Sequence, residues 1–210
     1  MRPNRPSVPA VPEAPPLLVA NNMVMQAETA HVLQTCQMLA AFGRLRPGTR
    51  YLWPHLGPRV ALLETLPVVL DPVPCRWRRG LGRYGEFLLR LSARLRRTGA
   101  PLLFTRSLGV ALVAQAWLPR VVLELHQDLS PRARRVAPAL GPRVQVVAIS
   151  DSLRRHLVGE GLFPAERVSA RRSRERRHSI RLRPAGRPKH STRRCCGGKA
   201  WFSRRSPWAI

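Results

Sequence analysis

Residues 120–168 read RVVLELHQDLSPRARRVAPALGPRVQVVAISDSLRRHLVGEGLFPAERV, and two short apolar runs inside this stretch decide the fold. Val121, Val122, Leu123 and Leu125 make a β-branched and aliphatic run closed by His126. Val144, Val146, Val147, Ala148 and Ile149 make a second, closed by Ser150 and Asp151. Near-continuous apolar strands of this kind suit a parallel sheet covered on both faces. Such sheets bind ligands at the carboxyl ends of their strands, so topology alone makes His126 and Ser150 site candidates. Between the runs PRARRVAPAL is compatible with a helix. After the second, Ser150 can cap the helix SDSLRRHLVGEG, which turns Leu153, Leu157 and Val158 inward and ends at Gly161.

Working back toward the amino terminus, the same alternation recurs. Leu17 to Ala20 is a short buried strand, followed by a polar loop and by AHVLQTCQMLAAFG, which sets Val32, Leu33, Cys36, Leu39 and Ala40 at helical spacing and stops at Gly43. Tyr51 to Trp53 reads as a second strand cut off by Pro54. From Pro58 to Arg79 prolines punctuate the chain and no element is read. Leu81 to Arg97 carries Tyr84, Phe87, Leu88, Leu91 and Leu95 on one helical stripe with arginines largely opposite. Pro101 to Thr105 is a third strand, ending at Arg106, and Leu108 to Trp117 a short apolar helix. Strands alternating with helices predict an α/β, Rossmann-like, doubly wound sheet of about five parallel strands.

The formal net charge is +26, and half of it lies in residues 169–210. Of the 37 basic residues only Lys189 and Lys199 are lysines. Coding DNA rich in G and C produces such an arginine bias without selection for phosphate contacts, so nucleic acid ranks low as a partner. The arginine-studded helix leaves peripheral contact with an anionic membrane as an expectation. No apolar stretch reaches the roughly 20 residues that span a bilayer. Cys36, Cys75, Cys195 and Cys196 form neither a disulfide framework nor a zinc pattern, and Cys36 sits on an apolar helix face that favours packing. With no signal sequence, the reading is a reducing, cytoplasmic protein. Residues 1–15, with prolines at 3, 6, 9, 12 and 15, are expected to be a disordered lead. Residues 169–210 lose all apolar periodicity and are expected to be a disordered basic tail.

Four segments in order resemble the amino-terminal half of the GT-B glycosyltransferases, in particular the family-4-like group. AHVLQTCQMLAAFG is similar to that group's first helix. LLFTRS resembles its strand with a following arginine. VVLELH looks like its Glu-x-His strand end, and VVAISDSLRRHLVGEG with AERV like its Val-x-x-Ser strand, helix and return. The resemblance covers residues 17–168 and implies that residues 16–168 form the acceptor-side domain of a two-domain enzyme. It implies a nucleotide-sugar donor as co-substrate, with no separate cofactor and no obligatory metal, and an acceptor hydroxyl as the second substrate. His126 is then the expected catalytic residue, close to the transferred sugar. Gln26, Arg106 and Ser150 are expected substrate contacts. Gln26 lies in the loop Asn22 to Glu28, where the family commonly has glycines and this chain has none.

In that family the second domain holds the nucleotide diphosphate with paired glutamates. Beyond Val168 the only acidic residue is Glu175, so the pair is absent there, and little transferase activity is expected of the chain by itself. A shifted reading frame near Ser169 would produce the abrupt change of pattern. The competing reading is a non-enzymatic module that binds RNA, DNA or anionic membrane through the arginine-rich helix and tail. No G-x-G-x-x-G follows the first strand, and no G-x-S-x-G elbow exists.

Overall fold

The computed structural model describes residues 16–26 and 29–171. Among them, seven strands form one sheet in which every pairing is parallel. They are β1 (Leu17–Ala20), β2 (Arg50–His55), β3 (Val69–Pro74), β4 (Leu102–Thr105), β5 (Val121–Leu125), β6 (Val144–Ala148) and β7 (Val168–Ala170), in the order β3-β2-β1-β4-β5-β6-β7. The α-helices are α1 (Ala30–Leu45), α2 (Gly80–Thr98), α3 (Leu108–Ala114), α4 (Pro131–Val136) and α5 (Asp151–Gly159). The α/β, Rossmann-like class is as expected. The sheet is wider than expected, by one strand at each edge.

Both extra strands escaped a pattern reading for physical reasons. In β3 the backbone N–H groups that reach β2 belong to odd-numbered residues: Val69 donates to Thr49 O and Cys75 to His55 O. Pro72 and Pro74 fall between them and face the open edge, where no N–H is needed and where proline blocks further pairing. Pro54 sits inside β2 on the same principle. Its missing N–H points past the end of β1, whose last ladder bond runs from Asn21 N to Leu52 O at 3.1 Å. At the other edge β7 takes in Ser169 and Ala170, which pair with Val147 and Ala148, so regular structure passes the expected limit at Val168 by two residues. The lead expected over 1–15, and the expected tail from residue 172 on, lie outside the described residues.

Alternation along the strands divides the core into two layers. Leu17 and Val19 of β1 and Tyr51 and Trp53 of β2 face Val32, Cys36 and Leu39 of α1. Leu18, Ala20, Leu52, Leu103, Leu123 and Val146 face Phe87, Leu91 and Leu95 of α2, with α3 and α5 beside it. Each of these large side chains, sealed from water, contributes about 1.5–3 kcal/mol. The expected helix stop at Gly43 is corrected: α1 runs on to Leu45. A Cβ at Gly43 would lie 2.1 Å from the Pro67 carbonyl oxygen, so the glycine permits close approach to the chain leading into β3. The helix read over Leu108 to Trp117 closes earlier, at Ala114. Glycine does end α2, where Gly99 takes φ 56°. Asp71 joins two layers by accepting from Arg50 Nη2 at 2.7 Å and from Arg94 of α2. Among the described residues no helix is long and apolar enough to cross a membrane.

The strand order fixes where a ligand can sit. From β1 the chain winds outward through β2 to β3, then crosses back to β4 on the other side of β1. The carboxyl ends of β1 and β4 therefore flank the point where winding reverses, and there the loops diverge and leave a crevice.

Candidate active site at the sheet switch point

Asn21 follows β1 and Arg106 follows β4, so the two residues flank that crevice. Asn21 is buried, and its Oδ1 accepts the Arg106 backbone N–H at 3.3 Å. The register Phe104↔Val122 carries Arg106 opposite Glu124, near the end of β5. Glu124 and His126 are two residues apart and share a face. The result is a continuous polar chain: Arg106 Nε donates to Glu124 Oε2 at 2.7 Å, and His126 Nε2 lies 2.8 Å from the same oxygen. Arg106 Nη1 also donates to Gln34 Oε1 of α1 at 3.5 Å. Arg171, just past β7, brings Nη1 to 3.9 Å from Glu124 Oε1.

Exposure rises along this chain, from 7% for the Glu124 side chain to 18% for Arg106 and 30% for His126. Burial is the largest influence on the Glu124 carboxyl and pushes its pKa up. The hydrogen bonds from His126 and Arg106, with the Arg106 charge, together outweigh it and hold the carboxyl below its ordinary range. A carboxylate only accepts, so His126 Nε2 carries the proton in this bond, and in the neutral ring Nδ1 is then the acceptor. Among the described residues no hydrogen bond engages Nδ1. The arrangement therefore offers a fixed, half-exposed imidazole with an open acceptor nitrogen, held by a buried charge.

The four residues expected from the sequence are not all gathered. Arg106 and His126 meet through Glu124. Ser150 stands two residues past the end of β6, the next strand, and its Oγ caps α5 by accepting the Leu153 backbone N–H at 3.2 Å. Gln26 is exposed on the other side of β1, beside the loop after β2, in a small cleft with Met25, Trp53, His55 and Gly57. Among the described residues no hydrogen bond or ion pair links Ser150 or Gln26 to the Glu124 cluster. Glu124, marked in the sequence only by the Glu-x-His strand end, binds both Arg106 and His126. Asn21 and Gln34 were not among the expected site residues. The signal for Asn21 was present, since it is the first polar residue after a buried strand, the same criterion that singled out His126.

A second network of similar composition lies on the surface between the β5 and α5 loops. Arg134 donates to Asp128 and, through Nη1, to Glu160 Oε2 at 3.0 Å, while His156 Nε2 is 3.2 Å from Asp128 Oδ2. The Arg134 hydrogen bond is the main reason the Asp128 carboxyl sits below its ordinary range.

No family model matches the chain, and no curated protein matches it. Among solved structures, the lipopolysaccharide outer core galactosyltransferase WaaB in its apo form aligns with 73% of this chain and 44% of its own, at 12% identity and TM-score 0.55. Anabaena Alr3699/HepE, in complex with UDP and glucose, aligns with 75% of this chain and 44% of its own, at 17% identity and TM-score 0.51. The fold is that of a GT-B-like amino-terminal domain. A UDP-N-acetylglucosamine 2-epimerase from Rickettsia bellii aligns over 74% of this chain at 13% identity and TM-score 0.49. The chain spans 44% of the length of each of these proteins. At such identities the likeness is one of fold.

Proposed function

We propose that residues 16–171 form the acceptor-side half of a glycosyltransferase that moves a sugar from a nucleotide diphosphate to an acceptor hydroxyl. The observation that carries this reading is the Arg106–Glu124–His126 chain at the point where strand winding reverses. His126 is the one member open enough to meet a ligand, and its Nδ1 would accept a hydrogen bond from a hydroxyl of the bound sugar. Glu124 and Arg106 act through it as positioning residues, fixing the ring's tautomer and angle. Gln26 and Ser150 are proposed as further contacts on the same sheet edge. The donor is a co-substrate, and the reading carries a cytoplasmic location with it.

The test is saturation-transfer NMR of the full chain with UDP-glucose and UDP-galactose. Transfer to the sugar protons is expected, with loss in His126→Ala and a smaller reduction in Ser150→Ala, whose hydroxyl also serves the helix cap. No transfer, or equal transfer in wild type and His126→Ala, would overturn the assignment. The competing reading, a polyanion-binding module, draws on the eight arginines between Arg76 and Arg97. Its mark is RNA binding that falls steeply with salt.

A further inference from the structure

Three of the largest exposed apolar side chains among the described residues lie close together in sequence. Trp77, Leu81 and Leu89 are 64%, 70% and 73% exposed. They belong to the turn before α2 and to the outer side of that helix, where Gly82, Gly85 and Ala93 are also exposed. The inner side, with Phe87, Leu91 and Leu95, is fully used by the core.

Trp77 is held out by built contacts. Glu86 Oε2 accepts the backbone N–H groups of Arg76 at 2.7 Å and of Trp77 at 3.0 Å, while its other oxygen takes Arg90 Nη2 at 2.8 Å. The indole lies over the first turn of α2 at Gly82, where a Cβ would come within 3.2 Å of ring atoms. A side chain at Gly82 would crowd that ring and require it to shift by a few tenths of an ångström. Around these apolar groups the charge is almost all of one sign. Residues 76–97 hold eight arginines against Glu86 alone. Arg90 is paired with Glu86 and Arg94 with Asp71. Arg76, Arg78 and Arg79 remain exposed before the helix, and Arg96 and Arg97 at its far end.

The geometry points to this side of α2 as a docking surface for an anionic phospholipid bilayer. Indole prefers the headgroup boundary, and leucines gain by entering the acyl region. Arginines set around them meet the negative surface, each worth about a fivefold gain in binding. Aliphatic side chains at the centre of the patch have nothing to read on a phosphate backbone, so a membrane suits the surface better than RNA does. The patch is also placed usefully. In a parallel sheet α2 begins at the carboxyl edge, and Tyr84 Oη lies 3.3 Å from Ser107 Oγ, next to Arg106. A bilayer bound there would lie along the edge that carries His126. The inference does not depend on sugar transfer, and its test uses no sugar.

The experiment is co-sedimentation of the full chain with phosphatidylcholine vesicles containing phosphatidylglycerol, comparing wild type with a Trp77→Ser/Leu81→Ser/Leu89→Ser variant. All three positions are solvent-exposed, so thermal unfolding of the variant should match wild type. The variant is expected to bind about tenfold or more weakly. Brominated phosphatidylcholine in the same vesicles should quench wild-type tryptophan fluorescence more than that of Trp77→Phe. Equal binding of wild type and triple variant would overturn the proposal, because it would assign any affinity to charge elsewhere in the chain. Quenching that is identical with and without Trp77 would overturn it too, as would an effect of the three substitutions on RNA binding alone.

Discussion

Two clusters in this molecule use the same three chemistries, an arginine, a carboxylate and a histidine, and they differ in where the sheet puts them. Glu124 stands inside β5, with a side chain 7% exposed, while Asp128 stands three residues past its end, at 44%. Both carboxyls sit below their ordinary range, by different routes. For Asp128 the leading influence is the Arg134 hydrogen bond itself. For Glu124 the leading influence is burial, which opposes ionisation and is outweighed by the hydrogen bonds and charges of His126 and Arg106. The comparison teaches that a buried charge makes its partners obligatory, whereas water can replace any partner of an exposed one.

The contrast is broken most forcefully by Glu124→Ala. Removing the carboxylate leaves Arg106 short of its counter-charge and His126 unanchored, and urea unfolding should show a loss of about 2–3 kcal/mol. Arg106→Met should cost less, about 1–2 kcal/mol, since His126 still donates to the carboxylate. Its clearer mark is a Glu124 titration moved upward, readable by carboxyl-carbon NMR. Next in size is a pH effect. The folded carboxyl of Glu124 titrates below the unfolded value of 4.5. Its stabilising contribution is therefore fully present above that value and fades as pH falls through the folded pKa. The stability gap between wild type and Glu124→Gln should be widest at neutral pH and narrow in acid. The smallest effect belongs to Asp128→Asn, where unfolding midpoints should be unchanged within error at moderate salt. A large loss there, matching that of Glu124→Ala, would erase the distinction between the clusters.

How far the site could be read in advance follows from the same geometry. His126 and Arg106 announce themselves as polar residues closing apolar strands, and a two-residue period puts Glu124 on the face of His126. The pairing of Arg106 with Glu124 depends on β4 lying next to β5 in one register, and no local pattern encodes that register. Ser150 satisfied the same strand-end rule, yet its hydroxyl serves a helix cap, because a serine before an apolar helix has a backbone N–H within reach. The edge strands were hidden by Pro72 and Pro74 and by the brevity of β7. Gly43 read as a helix stop because its close neighbour, Pro67, is distant in sequence.

The hydrogen bond from Arg106 to Asn21 joins residues 85 apart in the chain, and β1 gains its second neighbour only when β4 pairs beside it. The order of assembly follows from that separation. On a growing polypeptide, β1, α1 and β2 can associate early, but one flank of β1 stays open until more than a hundred residues have emerged. Long-range parallel pairing of this sort is slow and leaves sticky backbone uncovered in the interval. The crevice is therefore among the last parts of the molecule to come into being, and a nascent chain halted before β4 would hold only one wall of it.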